Sequence, residues 1–267
     1  MGLPFVRLSF LIVVLCACEG RIERELHRGE GEARQGHWLE ALSHYEKLLK
    51  LDTSRPELLK ASREGARIAY FELKDYRRAL VFYQNLAYHS QDPSETLQAQ
   101  RQVVAIYFEH LGDYERVIVE AGKLLGVERD PLLKIEDRLK IARSHFHLNR
   151  FSQALYEIEE AQRVPESKNM QFDLMLLKAN VLTADKRFPE AVGLLRTLMK
   201  DSRDRAIKEN VPMTLAVCFE EMKDFSGAVR VLESIESESP VPEYIKWRLK
   251  HLKERMINAP GARGFRK

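Results

Sequence analysis

Several things are scarce in this 267-residue chain, and each scarcity excludes something. There are only three cysteines, and two of them, Cys16 and Cys18, sit together near the N-terminus. The third, Cys218, lies far off in the apolar stretch LAVCF. A disulfide-framed fold is therefore excluded, and Cys218 is expected to be a small buried filler. Glycine (13) and proline (10) are few, while Leu, Ala, Glu, Lys and Arg dominate. That is the composition of helices more than of sheets. Charge of one sign is lacking too. The net charge is +3, with Lys and Arg interleaved among Glu and Asp, so the basic stripe of a nucleic-acid binder is absent. Motifs of chemistry are missing: there is no G-x-x-x-x-G-K-[ST] loop, no G-x-S-x-G elbow, no H-E-x-x-H and no C-x-x-C pair. Neither catalysis nor a cofactor or metal is expected.

The one concentrated apolar run, LSFLIVVL, is too short to span a bilayer. It follows a single positive charge at Arg7 and ends in LCAC, with small Ala17 before Cys18. A basic start, an apolar middle and a small residue at the cut make an export signal. With Leu15, Cys16, Ala17 and Cys18 in that order, the segment resembles a bacterial lipoprotein signal. The resemblance implies that residues 1–17 are removed and that Cys18 becomes the lipid-bearing first residue. Two alternatives stay open: attachment at Cys16, behind bulky Leu15, or an ordinary signal peptide in which Cys18 is incidental. Acyl chains would hold the protein by about 0.8 kcal/mol per buried CH₂. Glu19, not Asp, follows. In enteric bacteria that would favour the outer membrane, on its periplasmic face. Arg21, Arg24 and Arg28 would then meet anionic head groups, each for about 1 kcal/mol at most.

What the chain does have is a repeat. KDYRRALVFY at 74–83 and KDFSGAVRVL at 223–232 are near copies. Aligned on their aromatic, the series is Trp38, Tyr76, Tyr114, Phe151, Phe188 and Phe225, in steps of 38, 38, 37, 37 and 37 residues. Three positions later stand Ala41, Ala79, Val117, Ala154, Ala191 and Ala228. Nine positions earlier, in the last four copies, stand Ala105, Ala142, Ala179 and Ala216; in the second copy Arg67 takes that place, beside Ala66. A fixed period in this range marks stacked supersecondary units. The pattern around each aromatic is helical: in LEALSHYEKLLKL, Leu39, Leu42, Tyr45, Leu48 and Leu49 form one stripe. A polar turn such as Gly36-His37 or Asn149-Arg150 precedes the aromatic, and Gly and Asn tolerate the left-handed conformation that ends a helix. The small columns are expected where helix axes approach closely. Asp and Pro, as in Asp92-Pro93 and Asp130-Pro131, punctuate the joins.

Small residue, helix, turn, aromatic, helix and Ala at this spacing resembles the tetratricopeptide repeat. GHWLEALSHYEKLLKLD is the nearest match, with Gly36, Trp38, Ala41 and Tyr45 at the motif positions. The resemblance covers about residues 21–240. It implies an all-α, right-handed α-solenoid of about six helix pairs over 18–242. A capping helix over 243–257 and a basic, disordered tail over 258–267 are expected to follow. The family period is 34 residues, so each unit here carries three or four more, and the pitch stays open. The leading helix RIERELHRGEGEARQ is weakly apolar and is expected to fray or to act as a polar cap. In EYIKWRLKHLKERM the residues Tyr244, Ile245, Trp247, Leu249 and Leu252 suit a helix that covers the open apolar end; a docking helix is the alternative.

The resemblance also implies a concave groove lined by the leading helices. Carried over, its residues are Ile68, Phe71, Gln102, Ile106, His110, Leu139, Arg143, Phe146, His147, Leu176, Asn180, Thr183, Met213, Val217 and Glu220. Large apolar side chains among scattered polar ones suit an amphipathic helix or an extended peptide. A register slip of one would instead place them under neighbouring helices. His145 and His147 are two apart and point to different sides of a helix, so they make no metal pair, and His145 is expected in the core. His110 and His147 hold equivalent positions and are either a facing pair or two solvated groove residues. The expected function is a lipid-anchored scaffold of the bacterial envelope, similar at fold level to helical-repeat lipoproteins of outer-membrane-protein assembly and to pilotins. The alternative is an adaptor or ligand receptor for a peptidoglycan hydrolase or synthase. A receptor would show a pocket with converging polar groups, a scaffold an open groove.

Overall fold

The computed structural model describes residues 5–51, 55–164 and 168–258, with side chains from Gly20 onward except Lys168 and Asn258. Cys18 and the tail 259–267 therefore lie outside the described side chains. Among the described residues there is no strand, and no helix is long and apolar enough to cross a membrane. The chain forms two compact units, one ending at Val127 and one beginning at Glu128.

The first unit holds three helix pairs. They are α1 (Phe5–Arg34) with α2 (Trp38–Leu49), α3 (Pro56–Arg67) with α4 (Tyr76–His89), and α5 (Pro93–Ala105) with α6 (Tyr114–Val127). The second also holds three. They are α7 (Pro131–His147) with α8 (Phe151–Gln162), α9 (Lys168–Ala184) with α10 (Phe188–Asp201), and α12 (Val211–Glu221) with α13 (Phe225–Glu233). The short α11 (Arg203–Lys208) joins the last two pairs, and α14 (Pro242–Asn258) closes the unit.

Each repeat aromatic is the first residue of the second helix of its pair. Two residues before it, every turn contains one left-handed residue: Gly36, Lys74, Gly112, Asn149, Lys186 and Lys223, with φ between 52° and 78°. Glycine adopts that conformation freely, whereas lysine adopts it at a cost of about 1–2 kcal/mol. The joins are fixed by caps. Asp92 and Asp130 accept hydrogen bonds from the amides of Ser94 and Leu132, with Pro93 and Pro131 in the first turn. Proline there gives up an amide that would have had no partner.

Ala41, Ala79, Val117, Ala154, Ala191 and Ala228 are all fully buried, as are Ala142, Ala179 and Ala216. Ala105 departs from this column: it is half-buried, and Val104 takes the seam. The cause is local. α3 runs on into a π turn at Ile68–Glu72, and α5 into another at Ile106–Leu111. A π turn accommodates one extra residue in a helix. The closing hydrogen bonds record it. Arg150, Arg187 and Asp224 donate from their amides to carbonyls five residues back, whereas Asp75 and Asp113 reach six back, to Ala69 and Tyr107. The two 38-residue steps are the two that contain π turns.

The leading helix does not fray. Ile22 and Leu26 are buried, and Gly29 meets the ring of Tyr45 so closely that an added Cβ would stand 2.5 Å from it. At the other end, Ile245, Leu249 and Leu252 of α14 join the core built by Leu215, Phe219 and Leu232. Tyr244 and Trp247 point outward instead.

A candidate partner-binding face

The two π turns of the first unit bring aromatic side chains together. Tyr70 and Phe71 come from the first turn, His110 from the second, and Tyr76 and Tyr83 from α4. The His110 ring stacks flat on Tyr76, with centroids 3.6 Å apart and planes 2° from parallel. Its Nε2 lies 3.2 Å from the Tyr70 hydroxyl. Tyr70 in turn meets Phe71, Tyr76 and Tyr83 edge-on, at 4.8, 5.4 and 6.4 Å. Such edge-to-face pairs are worth about 0.5–1.5 kcal/mol beyond burial, so the cluster is a firm ledge. Burial pushes the Tyr70 and Tyr83 hydroxyls above their ordinary range. On this ledge Phe71 remains 63% exposed.

A cleft of about 310 Å³ lies between α1 and α3, with Tyr45 of α2 in its lining. Tyr45 is fully buried, and its hydroxyl has no hydrogen-bond partner among the described residues. Desolvation, then the carboxylates Glu64 and Glu30, push that hydroxyl up to about 12, against Arg67 and Arg34. All four charged groups line the cleft. Lys60 pairs with Glu30 at 2.5 Å. Arg67 serves two carboxylates, Glu64 at 3.2 Å and Glu72 at 2.9 Å.

The expected groove residues divide. Ile68 and Ile106 are fully buried in the core of the first unit, and Leu139 is buried in that of the second. These three cannot touch a partner. The reason for the isoleucines is the extra residue: counted from the aromatic, their positions equal those of Arg143, Asn180 and Val217, but the π turn rotates them under the neighbouring helix. Arg67 and Ala105 stand half-buried in their place. Phe71, His110, Arg143 and His147 are exposed; Gln102, Phe146, Leu176, Asn180, Met213 and Val217 are half-buried. Thr183 turns its hydroxyl to the Ala179 carbonyl, 2.8 Å away. Glu220 is held by Arg248 at 2.6 Å and Arg255 at 3.0 Å. His110 is engaged by Tyr70 and Tyr76 within its own unit, and His147 belongs to the other unit. Among the described residues no cluster of metal-ligating side chains exists. Cys218 is fully buried, its thiol pushed up by desolvation and 3.4 Å from Thr183 Oγ1. Sequence reasoning missed Tyr70 and the Tyr45–Arg34 cleft. The 38-residue steps were the only available signal for the first.

This arrangement of helix pairs recurs in solved structures. A tetratricopeptide-repeat protein from Parabacteroides merdae matches over 93% of this chain and 95% of its own, at 15% identity and a TM-score of 0.54. The chain has the tetratricopeptide-repeat fold. The apo form of RapI matches over 90% of this chain and 73% of its own, at 15% identity and a TM-score of 0.56. Yeast Tom70 matches over 83% of this chain and 45% of its own, at 18% identity and 0.51. No protein-family model matches the sequence, and neither does any curated protein. Within the tetratricopeptide-repeat fold, the expected groove residues belong to the first helix of each pair or to the π turn that extends it. Among the described residues the π turns are confined to the first unit.

Proposed function

We propose that this chain is a non-catalytic scaffold that binds a segment of a partner protein on the first-helix face of its first unit. The observation that carries the reading is Phe71: a large aromatic ring, 63% exposed and backed by a packed aromatic ledge. Aromatic side chains in such a setting are the anchors of protein interfaces, and an amphipathic helix or extended peptide would lay an apolar residue beside it. The rest of the proposal is location. Lipid on Cys18 tethers the scaffold to the outer membrane, facing the periplasm, where its partner is an envelope protein. The leader sequence supports this.

A photo-crosslinking residue at position 71, in the native envelope, tests the reading. Val81 of α4, 52% exposed, is the control. Capture of one protein from position 71 and not from 81 is the expected result. Equal capture, or none from either, contradicts it. Cys18→Ser is expected to abolish lipid labelling and release the protein from the membrane; labelling that persists removes the location.

A further inference from the structure

One join between helix pairs is unlike the others. Among the described residues, only the join between α10 and α12 carries a helix of its own, α11. Arg205 fastens α11 to α9. Its guanidinium lies 4.1 Å over the Phe172 ring and donates to Asp173 at 2.6 Å and to the Asn169 carbonyl at 3.1 Å. Arg203 is held by Glu238 and by the Ser234 carbonyl, each at 2.7 Å. Where α10 gives way to α11 there is a cavity of about 370 Å³, lined by Gln171, Phe172, Met175, Leu198, Asp201 and Ser202. Phe172 and Leu198 are buried and Met175 is half-buried, which makes one wall apolar. The polar part of the lining differs from that of the α1–α3 cleft, where Glu30 and Glu64 are both paired. Among the described residues, the Asp201 carboxylate, the Ser202 hydroxyl and the Gln171 amide have no partner.

We propose that this cavity binds a small ammonium compound with an apolar tail. The ammonium meets the Asp201 carboxylate and the Ser202 hydroxyl, and the tail lies against Phe172, Met175 and Leu198. The sign of the charge follows from the lining. Asp201 is its one ionised side chain, Lys200 and Asp204 stand outside it, and both arginines of α11 are committed to other carboxylates. Asp201 is also the last residue of α10, and a helix C-terminus carries partial negative charge. An anion is repelled there, and a neutral ligand would strip water from the carboxylate without replacing it. The size of the ligand follows from the volume: about 370 Å³ holds a small molecule, not a folded segment. An aromatic ring and a thioether suit a compact apolar body. The site lies in the second unit and does not rest on the reading of Phe71.

Titration calorimetry on the purified protein tests it, with 2-phenylethylamine as the probe. 2-Phenylethanol and 3-phenylpropionate keep the tail and replace the ammonium by a neutral and an anionic group. Saturable binding of the amine is expected, with the alcohol about tenfold weaker or worse and no binding of the acid. Asp201→Asn is expected to weaken the amine about tenfold or more, and Ser202→Ala about threefold. Asp204→Asn removes an exposed carboxylate outside the lining and is expected to leave the affinity unchanged. Circular dichroism on the three variants excludes loss of fold. No saturable binding of the amine, equal binding of the alcohol or the acid, unchanged affinity in Asp201→Asn or Ser202→Ala, or an equal loss in Asp204→Asn each overturns the proposal.

Discussion

The two units are built from the same repeat, and they differ by one residue per step. In the second, helices of pure α geometry leave Arg143, Asn180 and Val217 on the open face. In the first, the equivalent count lands on buried Ile68 and Ile106, because two π turns absorb an extra residue each. The insertion is confined to the last turn of the helix, so the seam before it is undisturbed. Past it, the side chains rotate and present Tyr70, Phe71 and His110 as a group. One added residue thus turns a plain repeat face into an aromatic ledge.

Substitutions in matched positions can break or sharpen that contrast. The largest effect is expected from Phe82→Ala, which removes a fully buried ring of the first unit's core. About 3–5 kcal/mol should be lost in denaturant unfolding, with the second unit's helices the last to melt. Next come Ala142→Leu and Ala179→Leu on second-unit seams with no exposed surface, each expected to cost about 1–3 kcal/mol by overpacking. Ala105→Leu, at the nominally equivalent place, is half-buried and is expected to cost less than either. Equal costs would mean that the seam runs through Ala105 after all.

Acid should separate the units as well. Burial holds the His145 imidazole of α7 below its ordinary 6.5, with Nδ1 enclosed and unpartnered. A depressed histidine adds stability that is intact above pH 6.5 and is lost as pH falls below it. In the first unit Glu95 is held below its ordinary 4.5, chiefly by its hydrogen bond from Arg63. Its contribution is intact above pH 4.5 and fades only beneath that. Between pH 7 and 5, the second unit is therefore the one weakened. His145→Gln should flatten that part of the melting profile, and Glu95→Gln should not. The smallest effect is shared by both units. Lys74→Gly, Lys186→Gly and Lys223→Gly relieve left-handed lysines and should each raise stability by about 0.5 kcal/mol, the strain removed less the entropy added.

Much of this was legible in the letters. The six aromatics, their turns and the Ala columns follow from sterics that act within a few residues, so periodicity alone located them. In the second unit the counted residues reach the surface except Leu139, which is buried, and in the first the count slips by one at Ile68 and Ile106. Ile68 and Ile106 look like face residues to any count at 3.6 per turn, and a π turn violates that count without changing the composition. The uneven steps of 38 and 37 residues were the trace it left. Tyr45 shows the other limit. Its place in the helical stripe predicts burial, but whether its hydroxyl finds a partner depends on α1 and α3, which are distant in sequence. Gly29 was similarly opaque: it reads as a helix weakener until the ring that needs its missing side chain is seen.

The most direct measurement is the thermal melt of two single-residue deletions made side by side. Removing exposed Glu72 should convert the first π turn into α-helix and the 38-residue step into one of 37. The protein should keep its helicity and melt within a few degrees of the parent. Removing Lys178 from α9 should turn one flank of that helix by about 100°, dislodge Ala179, Val181 or Leu182 from the core, and unfold the second unit. If the two deletions prove equally harmful, the extra residue does not reside in the π turn, and the account of the face built upon it is wrong.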